Sequence, residues 1–159
     1  MLFTQTRIGY KGIPFTIYKF RTYTEDGAKP TFCGTILRKT KLDELPQLYN
    51  LWKGDMVLVG PRPDIPGYAD TLEGEDAIIV TVKPGITGLA SLKYRDEELL
   101  LANQNNPQRY NDEIIWPDKV RINKWYVYHR TFFMDVKIIF YTLLPFSFDV
   151  DSYIENYKV

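Results

Sequence analysis

The 159-residue sequence predicts an α+β fold: one helix-dominated domain with a short N-terminal β-hairpin and a few short strands, and not a Rossmann fold. Three observations carry this. Apolar residues Leu45, Leu48, Tyr49 and Trp52 recur at i, i+3, i+4 and i+7, the stripe of an α-helix. Phe132, Val136, Ile139, Phe140 and Leu143 share a helical face within a run from Val120 to Leu144. Leu2-Phe3-Thr4 and Phe15-Thr16-Ile17-Tyr18 are β-like, and Gly9-Tyr10-Lys11-Gly12 between them reads as a hairpin turn. There is no Gly-x-Gly-x-x-Gly and no Walker-type loop, so a dinucleotide enzyme or P-loop kinase is disfavoured.

Taken in order, the hairpin is followed by residues 24–37, which read as a polar loop leading to the helix at 45–52. Gly54 is placed to end that helix in the left-handed conformation. Pro46 limits where it begins, because proline is harmless only in the first turn. Thr40 to Asp43 matches a capping box, but a start at Asp43, with Asp43 as N-cap, accommodates Pro46 better. Met56 to Val59 is a short apolar run, and Asp64 to Gly74 reads as exposed. Ala77 to Val82 reads as a short strand or a buried turn of helix. Pro84-Gly85-Ile86-Thr87-Gly88 is a rigid turn whose glycines permit close backbone approach to a ligand or a strand. Glu97 to Asn103 has helical composition, Asn105-Asn106-Pro107 breaks it, and Trp116-Pro117-Asp118-Lys119 starts the last long helix. That helix would end at Pro145, its apolar face either core or laid on a bilayer surface; the acidic tail beyond would dangle. A domain of residues 1–146 with a tail of 147–159 follows.

Composition narrows the function. Hydrophobic residues make up 45%, which excludes a disordered chain, and twelve tyrosines suit either surfaces with one wet and one apolar side or an aromatic-rich core. Cys33 is the only cysteine and His129 the only histidine, so neither a disulfide scaffold nor a zinc site can be built. Cys33 itself reads as a small buried hydrophobe. The net charge is zero yet unevenly placed: residues 1–45 carry eight basic and four acidic side chains, and residues 64–118 four and eleven. Residues 119–137 carry five basic and one acidic. Basic ends around an acidic middle suit contact with phosphates or anionic lipid and not general nucleic-acid binding.

The stretch from Arg38 to Pro63 holds the chemistry. Asp43 and Glu44 stand at a helix start, where a carboxylate contributes roughly 0.5–2 kcal/mol as a cap and an ordinary structural role is the plain alternative. Arg38, Lys39 and Lys41 precede them. Gly60-Pro61-Arg62-Pro63 brackets a guanidinium with two prolines, and guanidinium matches phosphate in a bidentate fork. Carboxylates beside phosphate need a bridging cation, for which Mg²⁺ is the usual choice.

These motifs resemble those of the bacterial sugar transferases, the monotopic phosphoglycosyl transferases. Leu42-Asp43-Glu44-Leu45-Pro46-Gln47-Leu48, Lys53-Gly54-Asp55-Met56, Val59-Gly60-Pro61-Arg62-Pro63 and Pro84-Gly85-Ile86-Thr87-Gly88 stand in that family's order. Lys19-Phe20-Arg21-Thr22 and Asp135-Val136-Lys137-Ile138 resemble its basic-aromatic and closing segments. The resemblance runs from about Arg7 to Leu144. It implies that Asp43 attacks the β-phosphorus of a nucleoside diphosphate sugar, such as a UDP-sugar, and that a polyprenyl phosphate then takes the phosphosugar. Glu44, with Asp43, would hold Mg²⁺. Arg62, Arg38, Lys19 and Arg21 would meet phosphates, the last two alternatively lipid headgroups. Arg95 is a weaker candidate for sugar choice. Asp135 matches a family position with an open role, ion pair or direct chemistry. The family's members place a membrane-entering hydrophobic helix just before this region, so the chain reads as a catalytic domain without it, acting at the cytoplasmic face of the bacterial inner membrane. A non-catalytic nucleotide-sugar or headgroup binder, or a purely structural interaction domain, remains the alternative.

Overall fold

The computed structural model describes residues 2–24, 27, 29–144 and 146–157. Strands β1 (Leu2–Ile8) and β2 (Pro14–Phe20) pair antiparallel around the turn Tyr10–Gly12, the register running from Leu2 opposite Phe20 to Ile8 opposite Pro14. The hairpin expectation is met. Residues 32–37, expected as loop, instead begin α1 (Phe32–Lys39), because the Thr31 hydroxyl caps it by accepting from the Gly34 N–H at 2.9 Å. Cys33, on that helix, is exposed and not a buried hydrophobe.

Helix α2 (Gln47–Lys53) ends at Gly54 with φ 82°, as expected. Its apolar stripe does not face the core. Leu45, Leu48 and Tyr49 are about half exposed and Trp52 is 83% exposed. The buried face is polar: Gln47 and Asn50. The Asn50 amide donates to Thr16 O at 2.7 Å and its Oδ1 accepts from Tyr18 N at 3.3 Å, so hydrogen bonds to β2 set the helix's orientation.

Strand β3 (Val57–Val59) pairs in parallel with β4 (Gly85–Thr87), where a rigid turn was expected. Glycine makes the pairing possible. A Cβ on Gly85 would lie 2.2 Å from Gly60 N, and one on Gly88 would lie 2.3 Å from Gly60 O. Between the strands, Gly74–Thr81 forms a 3-10 helix with Ile79 buried, the helical one of the two readings.

Short helices α3 (Leu89–Lys93), α4 (Glu97–Ala102) and α5 (Pro107–Tyr110) follow, the last capped by Asn106. A π-helical turn at Asn111–Ile115 joins α5 to α6 (Trp116–His129). The wide turn lies where Pro117 removes an N–H from the ladder and its ring crowds the preceding carbonyls.

The last long helix is in fact two. Arg130 (φ −57°, ψ 134°) breaks it, and Thr131 caps α7 (Phe132–Leu143) by accepting from Met134 N at 3.2 Å. The expectation that Pro145 ends this run concerns a residue outside those described. Of the apolar face expected as core, only Ile139 packs against the core; Phe132, Val136, Phe140 and Leu143 are exposed, and Met134 and Ile138 are the buried residues of the helix. The tail does not dangle. It forms α8 (Val150–Glu155), capped by Asp149, with Val150 buried in the core. That core joins Val59, Leu89, Ala90, Leu92, Ile122, Tyr126, Met134, Ile138 and Val150, so β3 is packed directly on the α6–α7 pair.

Candidate active site

Asp43 and Glu44 lie on a 3-10 turn, Leu42–Glu44, immediately before α2. Lys41 opens the turn in the left-handed conformation (φ 58°, ψ 14°), a strained geometry for a residue with a side chain. Pro46, not Asp43, is the N-cap of α2, and neither the turn nor the helix receives a side-chain capping bond. The expected cap is therefore corrected: placing Pro46 at the boundary itself avoids its clash, and Asp43 falls one turn too early to reach the α2 N–H groups. Freed from capping, Asp43 has a buried Oδ1 with no hydrogen-bond partner. Burial, and then the neighbouring Glu44 charge, raise its carboxyl above the ordinary value.

Glu44 is clamped. Its Oε1 accepts from Lys19 Nζ at 3.1 Å, and Arg62 reaches both its oxygens, Oε2 at 3.4 Å. The second turn of the clamp is Ile86 O, which accepts from Arg62 Nη1 at 3.2 Å. Burial works to raise the Glu44 carboxyl, but Arg62 and then Lys19 prevail and hold it down at about 2. Side-chain exposure is 12% for Glu44, 19% for Lys19 and 42% for Arg62, so the arginine keeps a wet face beside the carboxylates. Hairpin, α2 turn and β3–β4 loop thus bring one expected residue each to the same place.

Arg7 joins them, and the sequence pattern contained no signal for it. Its Nη1 donates to Pro63 O at 3.3 Å, and its Nε is buried without a partner. Burial and then Arg62 lower its guanidinium below the ordinary value. Asp64 follows Pro63 with a carboxyl that burial pushes up to about 6 against the pull of Lys119 and Arg7.

The other expected residues lie elsewhere. Arg38 pairs with Glu98 and donates to the Tyr23 hydroxyl at 2.5 Å, its guanidinium 5.1 Å from that ring. Arg21 is exposed. Arg95 donates to Tyr141 O and to Leu144 O at 3.1 Å, satisfying the C-terminal carbonyls of α7. Asp135 makes neither an ion pair nor a contact with Asp43 or Glu44 among the described residues; it accepts from the Tyr126 hydroxyl at 2.6 Å.

A hard divalent cation is compatible with this donor set. Asp43 Oδ1 is an unpaired buried carboxylate oxygen, and Glu44 remains ionised far below neutral pH. Among the described residues no group of three or more Asp, Glu, His or Cys side chains converges, so most ligands would be substrate or water oxygens, the habit of Mg²⁺.

Two adjacent carboxylates on a strained turn, one of them held by Lys19 and Arg62 from two other elements, are thus what the fold brings together here. The chain belongs to the bacterial sugar transferase family, whose model matches residues 1–148. It is 38% identical over 153 residues to EpsL of Bacillus subtilis, described as an uncharacterized sugar transferase, covering 90% of this chain and 68% of that protein. It is 43% identical over 107 residues to a UDP-glucose:undecaprenyl-phosphate glucose-1-phosphate transferase of Caulobacter vibrioides, covering 58% of this chain and 40% of the relative. A protein of the same description from Escherichia coli is 33% identical over 160 residues, with 90% of this chain and 32% of the relative covered. The chain thus spans less than half the length of these last two.

Proposed function

We propose that the chain is the catalytic portion of a phosphoglycosyl transferase that moves a sugar-1-phosphate from a UDP-sugar to a polyprenyl phosphate. One observation carries this: Asp43 presents a buried, unpartnered carboxylate oxygen beside a cation-clamped Glu44. An Asp43 oxygen attacks the β-phosphorus, forming a carboxyl–phosphorus bond as the bond to the bridging oxygen breaks and nucleoside monophosphate leaves. An oxygen of polyprenyl phosphate then attacks the same phosphorus, the bond to Asp43 breaks, and the carboxylate is regenerated. Arg62 and Lys19 can turn from Glu44 toward phosphate oxygens, stabilising charge that builds in transfer. Arg7 adds to the same positive field. Glu44 and Asp43 would hold Mg²⁺, which when bound offsets charge between carboxylates and diphosphate.

A membrane surface completes the reading, since polyprenyl phosphate is a lipid. No helix among the described residues is long and apolar enough to cross a membrane. The exposed apolar faces of α2 and α7, with Trp52, Phe132 and Phe133 each more than three-quarters exposed, suit the interfacial layer of a bilayer, here the cytoplasmic face of the inner membrane. The deciding experiment incubates the chain with a labelled UDP-sugar and Mg²⁺ and weighs the intact protein. An added phosphosugar mass, absent in Asp43→Asn, is expected. Binding without an adduct would instead make this a nucleotide-sugar binding module.

A further inference from the structure

Helix α2 buries two amides against the rest of the protein, Gln47 at 2% exposure and Asn50 at 0%. Asn50 is fully engaged. Its Nδ2 donates to Thr16 O at 2.7 Å and to Asp55 Oδ2 at 3.3 Å, and its Oδ1 accepts from Tyr18 N at 3.3 Å. Gln47 is the opposite case: its Nε2 is buried and donates to nothing among the described residues. A buried amide donor without an acceptor forfeits its bonds to water, so native structures rarely keep one. From Asp43 to Gln47 the chain stays right-handed, with Leu45 at φ −51°, ψ −38° and Pro46 at φ −61°, ψ −16°. Gln47 therefore stands about one turn beyond the proposed nucleophile. Asp43 Oδ1 is buried and unpartnered as well. One turn of chain thus carries a buried acceptor and a buried donor that do not bond to each other. Glu44, between them in sequence, accepts from Lys19 and Arg62 and not from Gln47.

We infer that Gln47 is a further catalytic residue, its amide N–H donating to a non-bridging oxygen of the phosphoryl group that Asp43 attacks. This deepens the reading above and rests on it for the role of Asp43. A phosphoryl group answers both unpartnered side chains at once: its phosphorus bonds to the Asp43 carboxylate, and its oxygens accept the amide hydrogen. No proton changes hands. As the bond from Asp43 to phosphorus forms and the bond to the bridging oxygen breaks, Gln47 steadies charge on an equatorial oxygen with a neutral donor. Lys19 and Arg62 must turn from Glu44 to act on phosphate. The Gln47 amide gives up no protein bond to do so.

The test sets stability against function. Gln47→Met keeps the length and helix propensity of the side chain and removes its amide. Because that amide makes no bond in the free protein, the denaturation midpoint should equal or exceed that of wild type. Formation of the Asp43 adduct from a labelled UDP-sugar and Mg²⁺ should slow about a hundredfold, the scale of losing one donor to a transition-state oxyanion. A second arm separates contact with the phosphoryl group from orientation of Asp43. Binding of UDP with Mg²⁺ is measured by calorimetry in Asp43→Asn, with and without Gln47→Met. The added substitution should weaken binding about tenfold, whereas a residue that only oriented the carboxylate would leave it unchanged. The inference is overturned by a lower midpoint, by a Gln47→Met rate within about twofold of a reacting wild type, or by equal UDP binding in the Asp43→Asn pair, no detectable binding in either included. Failure of the wild-type chain to form a phosphosugar adduct would sink the proposed reaction instead, and the UDP comparison would still decide this point.

Discussion

Asp43 separates a structural aspartate from a chemical one. A capping aspartate contributes about 0.5–2 kcal/mol, and replacing it lowers stability by that amount. Asp43 caps nothing, and its carboxyl is raised by burial, so the charged form is disfavoured by folding. Asp43→Asn should therefore leave thermal stability at pH 7 unchanged or slightly higher, while adduct formation disappears. A loss near 1 kcal/mol with adduct retained would contradict the assignment. The same raised carboxyl predicts that adduct formation falls on acidification at a pH above the usual aspartate range, since only the carboxylate attacks. Glu44 has the opposite sign. Its folded value of about 2 lies below the unfolded value near 4.5, so its stabilisation is present above pH 4.5 and is lost as pH falls toward 2. Acid unfolding followed by circular dichroism should show a steeper loss across that window in wild type than in Glu44→Gln. At neutral pH Glu44→Gln should lower stability by about 1–2 kcal/mol, less than for a fully buried pair because Arg62 is partly wet.

At the scale of the element, the helices are amphipathic in a direction that periodicity alone could not orient. A stripe of Leu45, Leu48, Tyr49 and Trp52 marks a helix, but which side meets the protein was decided by Asn50, fully buried and bonded to β2. The same inversion occurs on α7. Trp52→Ser and the pair Phe132→Ser with Phe133→Ser should change unfolding free energy by less than about 0.5 kcal/mol each, as surface substitutions do. Their binding to vesicles containing phosphatidylglycerol, read by sedimentation, should fall severalfold. A large loss of stability would mean these side chains are core after all. The break at Arg130 was equally hidden, because Thr131 caps well while the apolar spacing continues past it.

For the molecule as a whole, the tail is part of the fold. Val150 is buried in the core, Phe148 and Tyr153 pack against it, and Lys137 of α7 lies 4.3 Å from the Tyr153 ring centroid. Ending the chain after Leu144 should lower the unfolding free energy by several kcal/mol, read as a fall in the denaturation midpoint, because burying large apolar side chains contributes roughly 1.5–3 kcal/mol each. An unchanged midpoint would show α8 to be an ornament. Elements distant along the chain, from Lys19 to Ile86, also meet at the clamp: β2 brings Lys19, the turn before α2 brings Glu44, and Ile86 of β4 steadies Arg62.

Local sequence marked the hairpin, the glycine that ends α2, the adjacent carboxylates Asp43-Glu44 and the proline-bracketed Arg62, because each depends on residues within a few positions of one another. Long-range packing was needed to bring Lys19 and Arg7 to that site and to send Arg38 to Glu98 and Arg95 to the end of α7. It also turned Asp135 toward Tyr126. A cation's partner is set by which segments pack together, and residue spacing along the chain does not encode that.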